Sequence, residues 1–453
     1  MSFVFYDTET TGLSTRFDQI VHFAAIKTDH ELKEVDRFEV RSRLRAHVFP
    51  HPEALCISGI GIRQLLDPEL PSHYEMAREI QAKLVAWSPS IFAGYNSIRF
   101  DEEILRQTLF QTLHPAYLTS LHGNGRADVM GLVLSAAASA PHSLVVPRTA
   151  SDRLSFKLAD IAQANGVMHS KLHHAMSDVE AALELCRHLR LKAPGAWQSF
   201  VRFSNKAAVA DFVAGEGAFV LTEFYGGDAY SVPVVLLGHQ TGVSTARLCL
   251  VLDSRTREII DAPEEELGVL LFEKPSPIRR IRTNGAPVLA PLYDVEDGRF
   301  GMSIDNIEDL AQQIREDSGL CARLIAVFES RDTSWPTSPH VEERIYDSFP
   351  SLSDSRLMER FHQVDWAARA RLLNHIEDER FRILGERLVH GEAPQALSPE
   401  QRQRVVSELD RRTGDSTTGP LSRESAINLV DEMREQVSGH HLSLLDEYRK
   451  YLS

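Results

Sequence analysis

Phe3-Val-Phe-Tyr-Asp-Thr-Glu-Thr-Thr-Gly-Leu13 carries an apolar run straight into two acids, Asp7 and Glu9, and then into a glycine-containing turn. Side chains alternate faces along a strand, so Phe3, Phe5, Asp7 and Glu9 share one face and Val4 and Tyr6 the other. A strand that is apolar on both faces is a buried central strand of an α/β sheet. Ligand sites in such sheets lie outside the carboxyl ends of the strands, which is where Asp7 and Glu9 fall. A bare Asp-x-Glu is common. At the end of an apolar strand it becomes a candidate metal site whose remaining ligands must come from elsewhere in the chain.

Working outward, residues 19–27 and 31–40 read as two strands around an Asp29-His30 turn, giving a mixed sheet an antiparallel start. Met76, Ile80, Leu84 and Trp87 recur at helical spacing. Residues 90–95 read as a short buried strand, and 100–110, 128–140, 155–165 and 175–191 as helices. This alternation predicts an α/β domain over 1–192, closed by Lys192-Ala-Pro-Gly. From about residue 218 the period changes to 2. Strand-like apolar runs at 218–224, 230–237, 245–252 and 267–272 predict a β-rich domain over 193–345. Beyond Pro350 the pattern is helical, with a capped start at Ser398-Pro-Glu-Gln401, and 346–453 is read as a helical domain.

The 453 residues are 43% hydrophobic and 25% charged, as in an ordinary soluble protein. No apolar run approaches the ~20 residues of a membrane span, and the N-terminus lacks the basic region of a signal peptide. The four cysteines stand far apart with no Cys-x-x-Cys pair, which argues against a zinc ribbon or disulfide framework and fits a reducing cytoplasm. A net charge of −15 predicts no general affinity for nucleic acid. A polyanion would have to be gripped by local basic residues or by metal ions.

Two more acids stand where such a grip needs them. Asp101, in Gly94-Tyr-Asn-Ser-Ile-Arg-Phe-Asp101, opens a helix after a buried strand, and its neighbours Ile104 and Leu105 turn it towards the core. Glu102 and Glu103 read as acids that merely favour the positive end of that helix. Asp178, in His173-His-Ala-Met-Ser-Asp178, has Ala181, Ala182 and Leu185 as helical neighbours, so its helix can sit close to a sheet. In a helix His173 would lie roughly 140° away from Asp178, so it is placed on the preceding loop, free to reach the acids. Four acids from three segments suit two Mg²⁺ ions about 4 Å apart, a pair that can clamp an in-line phosphoryl displacement. A neutral imidazole can take the proton of the attacking water.

Asp7-Thr-Glu9-Thr-Thr-Gly, Asn96-Ser-Ile-Arg-Phe-Asp101 and His173-His-Ala-Met-Ser-Asp178 together resemble the DEDD-type 3′→5′ exonucleases with a catalytic histidine. The family pattern His-x-Ala-x-x-Asp selects His173 over His174 as the base. Further likeness in residues 52–60, 94–103, 155–158 and 284–290 extends the resemblance to the bacterial exonuclease I family. It implies a ribonuclease-H-like domain with a mixed sheet flanked by helices, then an SH3-like β domain and a C-terminal helical domain. It implies processive hydrolysis of single-stranded DNA to 5′-mononucleotides in repair and recombination. Asp7, Glu9, Asp101 and Asp178 would hold two Mg²⁺, with Mn²⁺ as a substitute. The alternative is another DEDD-type enzyme, acting on RNA or as a polymerase proofreader.

The same resemblance suggests substrate contacts. Glu9 would also touch the terminal nucleotide, and Thr10, Thr11 and Leu13 would line its pocket. Lys157 falls where the family has an arginine; lysine keeps the charge but loses the bidentate fork. Arg106 and Lys206 match basic DNA-contact positions, whereas Phe100 is read as core. Arg279-Arg280-x-Arg282 would track phosphates or bind the acidic tail of single-stranded DNA-binding protein, a partner in the family. The chain is expected to be a cytoplasmic monomer.

Overall fold

The structure is a computed structural model that describes residues 1–167, 174–331, 336–414 and 419–453. His173 lies outside the described residues. The first sheet has strand order β3-β2-β1-β4-β5, built from β1 (Phe3–Thr10), β2 (Ile20–Thr28), β3 (Glu34–Arg41), β4 (Ile91–Gly94) and β5 (Gly125–Asp128). β1 is central: it pairs antiparallel with β2 and parallel with β4. Its ladder with β2 holds Asp7 opposite Ala24 and Glu9 opposite His22, then shifts register between Glu9 and Thr10. Such an irregularity ends regular pairing and re-aims the residues after it.

The two faces of β1 are buried as the alternation predicts. Phe3 and Phe5 pack with Val179, Ala182 and Cys186 of the helix Ala175–Lys192. Val4 and Tyr6 pack with Met76, Ile80 and Leu84 of the helix His73–Ala86, and with Ile104 and Leu105 of the helix Asp101–Gln111. Each such buried side chain contributes about 1.5–3 kcal/mol. The strand is therefore held by its apolar residues, and its acids are free to serve a site.

A second, fully antiparallel sheet has the order β10-β6-β7-β8-β9, formed by β6 (Phe219–Tyr225), β7 (Asp228–His239), β8 (Ala246–Val251), β9 (Ile278–Arg282) and β10 (Val288–Pro291). Val220, Val235, Leu248 and Leu250 pack on one side with the helix Ile304–Glu316, and Leu221, Val234 and Cys249 pack on the other with Phe212. The run 267–272, expected as a strand, is the end of a helix, Glu264–Phe272. Leu267 and Leu271 are buried while Val269 between them is 72% exposed, which an i,i+4 stripe explains and a period of 2, which would bury Val269 with them, does not. Glu264, Glu265 and Glu266 in the first turn favour the helix.

The remainder is helical and wraps back onto the first sheet's layers. Phe361, Leu373 and Phe381 pack around Phe110 and Leu113, and Val430, Leu445 and Tyr448 pack around Val21, Leu55 and Leu65. The Tyr448 hydroxyl donates to the Pro50 carbonyl at 2.8 Å. Among the described residues no helix is long and apolar enough to cross a membrane.

Candidate active site

The carboxylates of Asp7, Glu9 and Asp178 offer oxygens that all lie within 4.8 Å of one another. β1 supplies the first two, and the first turn of the helix Ala175–Lys192 supplies the third. Asp101 is anchored to the same strand end. Its Oδ1 accepts the Thr8 backbone N–H at 3.1 Å and the Thr8 hydroxyl at 2.6 Å. Gly94 is required where β4 passes β1, because a Cβ there would stand 2.6 Å from the Tyr6 carbonyl oxygen.

Burial and mutual repulsion push these groups towards their neutral forms. Asp7 is held well above the usual carboxylate range by burial first, then by Asp101, Asp178 and Glu9. Glu9 is pushed up to about 8 by burial, Asp178 and Asp101, against the opposing charge of Arg41. Asp101 rises to about 7 through burial, with the Thr8 hydrogen bonds opposing. Buried oxygen donors that repel one another are relieved by a hard divalent cation, so this donor set fits one.

Asp128 fixes the loop that delivers Asp101. Its Oδ1 accepts the backbone N–H of Asn96 at 2.8 Å and of Met130 at 3.0 Å, and its Oδ2 accepts that of Ile98 at 3.2 Å. Sequence reasoning missed it, although an Asp just before the apolar run of the helix Val129–Ser139 carries an N-cap signal. His174 is the N-cap residue of the Asp178 helix. Its Nε2 lies 3.2 Å from Arg41 Nη2, and arginine can only donate, so this nitrogen accepts. His22 Nε2 lies 2.8 Å from Glu39, and the His22 and His174 rings meet edge to face at 5.0 Å. His22, Glu39 and His174 are thus a second cluster with metal-ligand atoms, but here a guanidinium of the chain occupies the lone pair of His174.

A cleft of about 560 Å³ opens beside Glu9. Glu9, Leu13 and Phe100 line it, with Arg412 of the helix Pro399–Gly414 and Leu421 just before the helix Arg423–Arg434. A second groove, of about 520 Å³, runs between the 96–99 loop and residues 280–288. Arg99, Arg280 and Arg282 are exposed along it.

A family model described as Exonuclease matches residues 4–186, and one described as Exonuclease I C-terminal domain matches residues 339–453. The chain belongs to the exonuclease I family. Exodeoxyribonuclease I of Escherichia coli is 26% identical over 389 residues, covering 79% of this chain and 78% of that one. The crystal structure of E. coli exonuclease I in complex with a dA16 oligonucleotide superposes with a TM-score of 0.87 at 21% identity, covering 99% of this chain and 98% of that one. A structure of SSB/exonuclease I in complex with the inhibitor CFAM gives 0.84 at 20% identity, with coverage of 100% and 98%. The ribonuclease-H-like sheet, the β domain and the helical domain are those of exonuclease I. The exonuclease domain implies dependence on a divalent metal, and the acid cluster is where this member of the family would hold one.

The remaining expected contacts fall unevenly around that cluster. Thr10 and Leu13 face the cleft, and Leu13 is 85% exposed. Thr11 does not: it is buried, with its hydroxyl on Asp18 at 2.7 Å. Phe100, expected in the core, lines the cleft instead. Lys157 is exposed as the N-cap residue of the helix Leu158–Ala164. Lys206 is exposed beside Ser204, whose carbonyl accepts the Arg126 N–H in β5, and it lines neither opening. Arg106 is buried, its guanidinium paired with Glu102 at 2.9 Å and Glu103 at 2.7 Å at the edge of the second groove. Within the basic cluster, Arg279 pairs with Glu223 at 2.8 Å.

Proposed function

We propose that this chain is a processive 3′→5′ exonuclease that hydrolyses single-stranded DNA to 5′-mononucleotides in DNA repair and recombination. The observation that carries this reading is the convergence of Asp7, Glu9, Asp178 and Asp101 at the end of one strand, with Glu9 lining an open cleft. Two Mg²⁺ ions, or Mn²⁺ in their place, would be held by these four carboxylates and would offset the charge of the scissile phosphate while activating a water.

The chain's own groups do the rest. His173 takes the proton of the attacking water, since the Nε2 lone pair of its neighbour His174 is already used by Arg41. Glu9 orients the terminal nucleotide beside the metals. Leu13 and Phe100 give the terminal base an apolar seat, and Thr10 borders it. Lys157 offers a point charge to a nearby phosphate. Arg99, Arg280 and Arg282 supply local positive charge that an acidic chain needs to hold the strand upstream.

The domains run over 1–192, 193–345 and 346–453, and the protein works as a cytoplasmic monomer. The SSB/exonuclease I complex supports single-stranded DNA-binding protein as a partner. The exposed arginines of β9 would receive its acidic tail. The deciding experiment is digestion of 3′-labelled single-stranded DNA, duplex DNA and RNA with Mg²⁺. Release of mononucleotides from single-stranded DNA is expected, and a preference for RNA or duplex overturns the assignment.

A further inference from the structure

Glu102 follows Asp101 directly and is 1% exposed. Four side chains donate to its carboxylate. Oε2 accepts from the Tyr6 hydroxyl at 2.9 Å. Oε1 accepts from Arg106 at 2.9 Å, Arg126 at 3.0 Å and the Thr119 hydroxyl. Two guanidiniums on one buried carboxylate keep it ionised and fix its position. This is more than an acid at the start of a helix, which would be exposed and satisfied by backbone donors.

Each partner leads somewhere. Tyr6 is the residue before Asp7 on β1, so Glu102 joins the strand that carries Asp7 to the helix that carries Asp101. Arg126 also donates to the carbonyl of Asn284 in the β domain, beside the basic groove. Arg106 also reaches the Tyr346 hydroxyl at 2.8 Å, in the segment that enters the C-terminal helices. One carboxylate thus meets both acid-bearing elements and, through two arginines, both later parts of the chain.

We propose that Glu102 is a positioning residue: it sets the separation of Asp7 from Asp101 and ties it to the seating of the β and C-terminal domains. This rests on the reading of those acids as metal ligands. Residues that orient ligands from behind typically change metal affinity or activity by about 10–100-fold when replaced.

Glu102→Gln is the direct probe. Its carbonyl oxygen can keep the three donors on Oε1 while its amide donates to the Tyr6 oxygen, so the shape survives and the charge is lost. Mn²⁺ titration of the DNA-free protein, followed calorimetrically, is expected to show affinity about 10-fold weaker. The kcat on a short oligonucleotide should fall with little change in KM. Tyr6→Phe removes one hydrogen bond and no charge, so it keeps a folded test available, and a smaller loss of Mn²⁺ affinity is expected. Arg126→Gln should weaken Mn²⁺ binding although Arg126 touches no metal ligand. Wild-type Mn²⁺ affinity and kcat in folded Glu102→Gln or Tyr6→Phe, with only Tm lowered, overturns the proposal. Failure of the wild-type protein itself to bind Mn²⁺ or cut DNA would instead overturn the underlying reading, and this inference with it.

Discussion

Thr8 donates twice to Asp101, from its backbone N–H at 3.1 Å and from its hydroxyl at 2.6 Å, although the two residues are 93 apart in sequence. The pair fastens the start of one helix to the end of β1. It also leaves Asp101 only one oxygen free of Thr8. Thr8→Val keeps the shape and β propensity and deletes the hydroxyl bond. We expect stability to fall by about 1 kcal/mol and Mg²⁺-dependent turnover by about 10-fold. Unaltered turnover across an Mg²⁺ titration would mean that the backbone N–H alone orients Asp101.

Asp7→Asn should abolish hydrolysis and leave the fold intact. The same substitution replaces an acid, held towards its neutral form by burial and by Asp101, Asp178 and Glu9, with a side chain that has no charge to suppress. The metal-free variant should therefore melt at a higher temperature than the wild-type protein. It should also lose the upward Tm shift that Mg²⁺ gives the wild type. A metal-free Tm below wild type would show that Asp7 is needed for packing.

The raised carboxylates predict the sign of the pH dependence. Burial and neighbouring acids push Glu9 up to about 8, and burial pushes Asp101 up to about 7 in the folded chain, against ordinary values of 4.5 and 3.8. Between the unfolded and folded values the native state binds more protons, so stability falls as pH rises. That contribution is fully present below about pH 4 and is lost as pH passes through 7 and 8. Metal-free protein should therefore lose Tm from pH 5 to pH 8, and saturating Mg²⁺ should flatten the slope. A metal-free Tm that climbs over this window would contradict the crowding of acids at the site.

The surroundings of His174 set its expected role apart from that of a base. His174 is held by Arg41 and faces His22 and Glu39. His173→Ala should lose about 10²–10⁴-fold in kcat, the range of general-base catalysis, and His174→Ala much less. The reverse order would move the base to His174.

The acids on β1 were legible because an apolar strand has no other use for two carboxylates at its end. The mixed sheet and the helices flanking it followed from periodicities of 2 and 3.6. Glu102 was misread because an acid in the first turn of a helix satisfies the dipole rule whether it faces water or a buried arginine pair. Arg106 is expected as a DNA contact, yet Glu102 and Glu103 stand four and three residues before it at ion-pair spacing, and it pairs with both. Phe100 was placed in the core because hydrophobicity does not report that a cleft opens beside it. In 267–272, the run Leu-Gly-Val-Leu-Leu-Phe shows no clear period in the sequence, and only the exposure of Val269 between buried Leu267 and Leu271 marks it as helical. For Glu102 and Phe100 the deciding neighbours are distant in sequence.

The arginine groove answers how a chain of net charge −15 holds a polyanion, and it can be measured by salt. Arg99 lies two residues before Asp101, and Arg282 faces it across the groove from the end of β9. For single strands each neutralised phosphate contributes about 0.7 to the slope of log K against log salt. Arg99→Gln combined with Arg282→Gln should reduce that slope by about 1.4 for a long oligonucleotide, two contacts at this value. A trinucleotide, with few phosphates beyond the scissile one, should lose far less in binding and cleavage. Equal losses on both lengths would place these arginines at the scissile phosphate, and no loss on either would send the strand along another path.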